Sequence, residues 1–235
     1  MAEGSGFPAA AAALTRATTA GADWCGPFVS SLPVSAAAVS TLGSPLGTQT
    51  VCASDDDAAR WDEIQIDLGE GPCWEALRSA HPVLEPDVQH SGASVWPVAL
   101  SALQKTGLGA VYAFPMIVGS IRLGAVGLYS MTPGPLSEQQ IGDARALTDI
   151  VARHVFRQAL STLEKPEDNA PYEGSYSRRE VHQATGMVIA QLHVAADDAL
   201  LVLRGHAFST GRSVRDIAGD VVARRLDFTT GPGTE

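Results

Sequence analysis

Two apolar runs, 110–118 and 121–130, face each other across the pair Gly119-Ser120. A Gly-X pair suits the type II′ turn of a tight hairpin, because glycine takes the positive φ that the first corner demands. The chain must therefore build an antiparallel sheet, and a long hairpin in water needs further strands and a covering layer. Other strands read in the same way. Val34 to Leu42 and Thr48 to Ala53 are small or β-branched and are split by the breaker run Gly43-Ser44-Pro45-Leu46-Gly47, while Val83 to Glu85 makes a short strand.

Helices alternate with these strands. Ser54-Asp55-Asp56-Asp57 starts one that runs to about Ile66 and ends in Gly69-Glu70-Gly71-Pro72; Pro72 opens a second through Ser79, closed by His81-Pro82. A third spans Trp96 to Lys105 and stops at Gly107. Ser137-x-x-Gln140 caps a long helix over 137–163, with Ile141, Ala144, Leu147, Val151 and Val155 on one side. That stripe predicts a homodimer seam. Residues 1–20 read as a tail or helix, since Ala9 to Ala13 is only weakly apolar and follows Glu3 rather than a basic segment. The body covers residues 21–165, and the Pro- and Gly-bearing stretch 166–176 reads as a linker.

The last sixty residues change character to three short helices. Ser177-Arg178-Arg179-Glu180 has the form of a capping box, followed by the stripe Val181, Ala184, Val188, Leu192. Asp197 and Asp198 favour the start of a second helix with the stripe Leu200, Leu203, Ala207, which Thr210-Gly211 stops. Ser213-x-x-Asp216 begins a third, with Val214, Ile217, Ala218, Val221 and Val222 apolar and an end near Leu226. This module spans 177–228 and leaves a tail at 229–235. Gly186 is out of place by propensity, costing about 1 kcal/mol relative to alanine inside a helix. Another backbone or a ligand is expected to approach it closely.

Charge limits the partners. The chain nets −10, with 9 basic and 19 acidic side chains over 1–174, against 7 of each over 175–235. The body is acidic and the tail module neutral, which disfavours strong non-specific binding to polyanions. Cys25, Cys52 and Cys73 show no paired spacing and predict neither a disulfide framework nor a zinc site, in keeping with a reducing cytoplasm. No segment approaches the roughly 20 apolar residues that would cross a membrane, and His81, His90 and His154 are scattered without metal spacing. No cofactor is expected.

The wording of the three helices, Gln183-Ala184-Thr185-Gly186-Met187, then Ala199-x-x-x-Leu203-Arg204-x-x-Ala207, then Ser213-Val214-Arg215-Asp216-Ile217-Ala218, resembles the ANTAR domain of AmiR/NasR-type transcription antitermination regulators. The body resembles a GAF domain in Gly69-Glu70-Gly71-Pro72-Cys73, Trp96-Pro97, Ala113-Phe114-Pro115-Met116 and Leu123-Gly124-Ala125-Val126-Gly127-Leu128-Tyr129. Together they resemble actinobacterial GAF–ANTAR regulators. The implied fold is an α+β GAF domain, an antiparallel sheet flanked by helices, followed by a small all-α three-helix ANTAR domain.

The resemblance implies a cytoplasmic regulator without catalytic activity that binds RNA bearing two consecutive stem-loops and so prevents a terminator from forming. The implied RNA-binding residues are Gln183, Ala184, Thr185, Gly186, Arg204, Arg212 and Ser213, and Arg178, Arg179 and Arg215 add cations for phosphates. Family members often carry Lys at Thr185 and Phe at Leu200. Read on pattern alone, the arginines are a solvated helix face and Gly186 serves close helix packing. Aromatic residues here are Tyr172, Tyr176, Phe208 and Phe228, so base stacking is not the main expectation unless Tyr176 takes part. In the body, Trp96, Tyr112, Phe114 and Tyr129 are candidates for a pocket taking an unknown small molecule. Two other readings stay open. Cys73, at a turn into a helix, could centre a thiol redox sensor or a methionine sulfoxide reductase, and the three helices could instead bind a protein partner.

Overall fold

The hairpin forms where the sequence places it. Strands β4 (Ala110–Val118) and β5 (Ile121–Ser130) pair antiparallel, and Gly119 turns between them at φ 61°. The computed structural model describes residues 6–18, 22–92, 94–164 and 178–229. It divides into two units, 1–177 and 178–235.

In the first unit, α1 (Phe7–Arg16) and α2 (Gly26–Ser31) precede β1 (Ala36–Thr41) and β2 (Gln49–Ala53). Helices α3 (Asp56–Leu68) and α4 (Pro72–Ser79) lead to β3 (Val83–Glu85), α5 (Pro97–Gln104), the hairpin and α6 (Glu138–Glu164). The sheet order is β2-β1-β5-β4-β3, every neighbouring pair antiparallel. The register shifts between Met116 and Ile117 on β4, near Gly124 on β5. A Cβ at Gly124 would collide with the Ser40 carbonyl of β1, so glycine is required there.

Helices cover both sheet faces. Side chains of α1, α2 and α6 pack with Val39, Phe114, Met116, Val126 and Leu128 in one core, while α3, α4 and α5 pack with Val111, Ala113, Ala125 and Tyr129 on the other side. The local signals act as expected. Asp55 accepts a hydrogen bond from the Ala58 N–H at 2.7 Å, Gly69 ends α3 at φ 67°, and Ser137 and Gln140 exchange reciprocal bonds at the start of α6. The Gly69-to-Cys73 phrase gains a further meaning, because Glu70 Oε1 accepts the Val98 and Ala99 N–H groups at 2.7 and 2.8 Å. It thereby caps α5 from 28 residues away.

Three expectations are corrected. The α6 stripe is consumed inside the unit: Ala144, Leu147, Val151 and Val155 are fully buried against the sheet and α1, so they form core rather than a dimer seam. Periodicity shows that a face is buried, not against what. The body also begins before residue 21: the helix read within 1–20 forms as α1 and joins the same core through Ala10 and Leu14, and His154 of α6 donates from Nε2 to the Leu14 carbonyl at 2.9 Å. Finally, Cys25 and Cys52 are joined in a disulfide, with Cα atoms 6.4 Å apart. The fold brings the start of α2 onto β2, a proximity that a spacing of 27 residues does not announce.

The second unit holds α7 (Arg179–Leu192), α8 (Ala196–Thr210) and α9 (Val214–Val222). Its core is Val181, Ala184, Val188, Ala199, Leu203, Ala207, Val214, Ile217, Ala218 and Val221. Ala199 takes the fully buried place expected of Leu200, which is half-buried, and α9 stops at Val222 rather than near Leu226. Arg178 is the N-cap of α7 and makes no side-chain cap; Ser177, the linker 166–176, Tyr172 and Tyr176 lie outside the described residues.

Candidate functional site

The small and β-branched core of the second unit decides which side chains remain outside. On α7, Arg179, Gln183, Gly186 and Ala190 are all exposed, at spacings of four, three and four that keep them on one face. A Cβ at Gly186 would meet nothing within 4 Å, so no helix of this unit requires glycine there. Close helix packing is thus removed as the reason for it. The face runs from a cation through an amide to a stretch without side-chain bulk, a surface that a flat or backbone-rich partner can approach.

The other residues expected at an RNA surface divide. Ala184 is fully buried and belongs to the core, and Arg178 is 4% exposed. Thr185 is half-buried, with its hydroxyl donating to the Val181 carbonyl at 2.7 Å. Ser213 serves as the N-cap of α9, accepting the Asp216 N–H at 3.0 Å. Arg204 and Arg215 are half-buried. Arg212 is exposed and pairs with Asp220 at 2.8 Å, while Arg225 reaches the other oxygen of the same carboxylate at 2.7 Å. Hydrogen bonds from Arg212 and Arg225 hold the Asp220 carboxyl below the usual carboxylate range. Asp220 thereby fixes two guanidinium groups side by side.

Two features go beyond the sequence reading, the exposure of Phe208, named there only as one of the aromatics, and the pairing of two arginines on Asp220. Phe208 stands 68% exposed on α8, one turn beyond exposed Gly205 and two beyond exposed Leu201, so an aromatic face for a base is present. The i, i+4, i+7 spacing was visible; that this stripe would face outward was not, because the buried stripe is set by Ala199, Leu203 and Ala207. The pairing of Asp220 with both arginines depends on how the α8–α9 turn folds back, which no local pattern encodes.

The aromatics proposed to line a pocket in the body do not meet. Trp96 and Tyr129 pack on the α3–α5 side of the sheet, Tyr112 and Phe114 on the α1–α2–α6 side, and all four are at most 3% exposed. On the first side a buried polar group forms instead. Gln65 donates to the Tyr129 hydroxyl at 3.1 Å and accepts the Cys73 N–H at 2.9 Å, and Ser40 and Thr50 both donate to one oxygen of Asp62. Cys73 is 1% exposed, and burial pushes its thiol far up, with the Asp62 charge adding to the shift. The thiolate a redox centre needs is therefore suppressed. Cys52, the nearest cysteine in sequence, is bonded to Cys25. Among the described residues no group of three His, Cys, Asp or Glu could hold a metal ion, and no single helix is long and apolar enough to cross a membrane.

Comparison with known proteins agrees with the two-unit division. Residues 9–155 match the family model of the GAF domain, and residues 176–222 that of the ANTAR domain. Among solved structures, the chain is similar to the GAF domain of a phosphoenolpyruvate-protein phosphotransferase from Coxiella burnetii, at 12% identity and a TM-score of 0.51, covering 67% of this chain and 96% of that one. It is also similar to the GAF domain of the Acinetobacter phosphoenolpyruvate-protein phosphotransferase, at 8% identity and a TM-score of 0.47, covering 65% and 94%. A third is the type II free methionine-R-sulfoxide reductase of Thermoplasma acidophilum, at 16% identity and a TM-score of 0.43, covering 64% and 95%. At 12% identity, the likeness to the first of these concerns the fold alone. No curated protein matches the chain.

Proposed function

Since the chain belongs to the GAF-domain family and carries an ANTAR domain at residues 176–222, we propose that it is a cytoplasmic antitermination regulator whose three-helix unit binds RNA bearing two consecutive stem-loops. The ANTAR domain is an RNA-binding antiterminator module and the GAF domain a sensor; both are regulatory rather than catalytic. The observation that carries the reading for this chain is Gly186. It sits mid-helix and exposed, with open space where its side chain would be. Gln183 and Arg179 lie on the same face. Arg212 and Arg225, held by Asp220, supply phosphate contacts, and Phe208 supplies a surface on which a loop base can stack. A homodimer would present two such units to two stem-loops. Its seam must lie outside the buried α6 stripe, and the exposed Leu160 beyond Val155 is available to it.

The test is a binding titration with tandem and single hairpins at several salt concentrations. The full chain should prefer the tandem RNA with a shallow salt slope, because few cations are exposed. Arg179→Ala combined with Arg212→Ala should weaken binding by about tenfold or more. Equal affinity for both RNAs, or binding unchanged in the double variant, overturns the reading and leaves the exposed Leu201 and Phe208 as a protein-docking stripe. Turnover of free methionine sulfoxide, abolished by Cys73→Ala, would instead establish an enzyme.

A further inference from the structure

Between β4, the N-terminal half of α6 and the turn from α4 to β3 lies an open cleft of about 360 Å³, bordered by Phe114, Pro115 and Ile117, by the exposed Arg145 and Asp149 with Thr148 between them, and by Ala80, His81 and Pro82. Its size falls in the small-molecule range of roughly 300–1,000 Å³. It opens where the sheet runs short: β3 pairs with β4 only as far as Ala113, so β4 continues past its neighbour from Phe114 onward. Pro115 brings no N–H to that edge, which disfavours an added strand and leaves the space to something smaller.

Thr148 lines the cleft and sets it apart from the rest of the surface. The residue is 2% exposed, and its buried Oγ1 has no hydrogen-bond partner within the protein. Other helical threonines of this chain behave differently: Thr15, Thr185 and Thr210 each return their hydroxyl to the carbonyl four residues earlier, at 2.7 Å. A buried hydroxyl without a partner is destabilising, and a polar ligand atom in the cleft would satisfy it. Arg145 and Asp149 stand one helical turn apart on either side of Thr148 in sequence. No ion pair within the described residues joins the two.

We propose that this cleft binds a free α-amino acid with an apolar side chain. The ligand carries carboxylate and ammonium on a single carbon, a separation that opposite charges one helical turn apart can serve together. Arg145 takes the carboxylate, Asp149 the ammonium, and the Thr148 hydroxyl bonds to the carboxylate beside Arg145. Pro115, Ile117 and Pro82 receive the side chain, with the buried Phe114 beneath them. The proposal rests on the sensor role of the GAF body and names its ligand class. It is read on the full chain without RNA, so a failure to bind tandem hairpins leaves it untouched.

The experiment is calorimetric titration and thermal denaturation of the full chain with L-leucine, L-methionine and L-phenylalanine. The matched derivatives N-acetyl-L-phenylalanine and L-phenylalaninamide each remove one charge. At least one free amino acid should bind saturably and raise Tm, and both blocked forms should lose the effect. Arg145→Gln and Asp149→Asn should each weaken binding by about tenfold or more. Thr148→Val keeps the buried shape and should weaken binding while leaving the unliganded protein folded. Should Thr148→Val fail to fold, the two charge variants carry the test. No saturable binding of any free amino acid, equal binding of the blocked forms, or wild-type affinity in the charge variants overturns the proposal.

Discussion

Gly186 separates stability from function at a single position. Because a Cβ there meets open space, Gly186→Ala should stabilise the helical unit by up to about 1 kcal/mol through helix propensity. If the bare backbone is what RNA approaches, the same change should weaken binding to tandem hairpins. Denaturant midpoints and RNA titration on one variant check both, and a stabilised protein with unchanged affinity removes Gly186 from the interface. The sequence exposed this residue as an anomaly, since propensity disfavours glycine in a helix, but pattern alone favoured helix packing over ligand approach as the explanation. Ala184, two residues earlier, shows the converse. It belongs to the same motif, yet it is fully buried, because one step around a helix separates core from surface.

At the level of elements, caps and turns were legible and destinations were not. The hairpin, the Asp55 and Ser213 caps and the α6 capping box are local chemistry, and all form as read. The cap that Glu70 places on α5 spans 28 residues, so only the fold reveals it. Glu70→Ala should cost about 0.5–2 kcal/mol, the usual range for a lost cap, measured by urea denaturation, with the loss concentrated in hydrogen exchange at the start of α5. The α1–α6 contact carries a pH dependence. His154 stacks on Trp24 with ring centroids 5.8 Å apart, and Arg157 donates to its Nδ1 at 2.8 Å. Burial holds its pKa below the ordinary histidine value, with Arg157 and Arg153 adding to the shift against the Leu14 bond. Protons then bind the unfolded chain more readily than the folded one. The stability this site supplies is present above about pH 6.5, the unfolded histidine value, and is lost as pH falls below it. Tm measured between pH 5 and 7.5 should fall on the acid side more steeply for the native chain than for His154→Gln.

For the molecule as a whole, net charge and composition pointed to two units of different character, and the structure divides into 1–177 and 178–235. What sequence could not supply was the partnering of surfaces. The long apolar face of α6 reads equally well as a dimer seam or a core face until the sheet is assembled beneath it. The three cysteines looked unpaired until α2 and β2 were brought together. Removing that bond by Cys52→Ser should lower stability by about 2–4 kcal/mol in the oxidised protein and change nothing after full reduction, a comparison that denaturation with and without reductant makes directly.

The Cys25–Cys52 bond also changes what kind of object the chain is. With it closed, residues 25–52 become a covalent ring that contains α2 and β1, the strand lying between β2 and β5. Ser44 and Pro45 lie exposed in the turn of that ring. A single protease cut there would leave one molecule by mass until a reductant opened it into two pieces. In an oxidising setting a nick at this turn is therefore silent, and in a reducing one it breaks the covalent link between the N-terminal helices with β1 and the rest of the body.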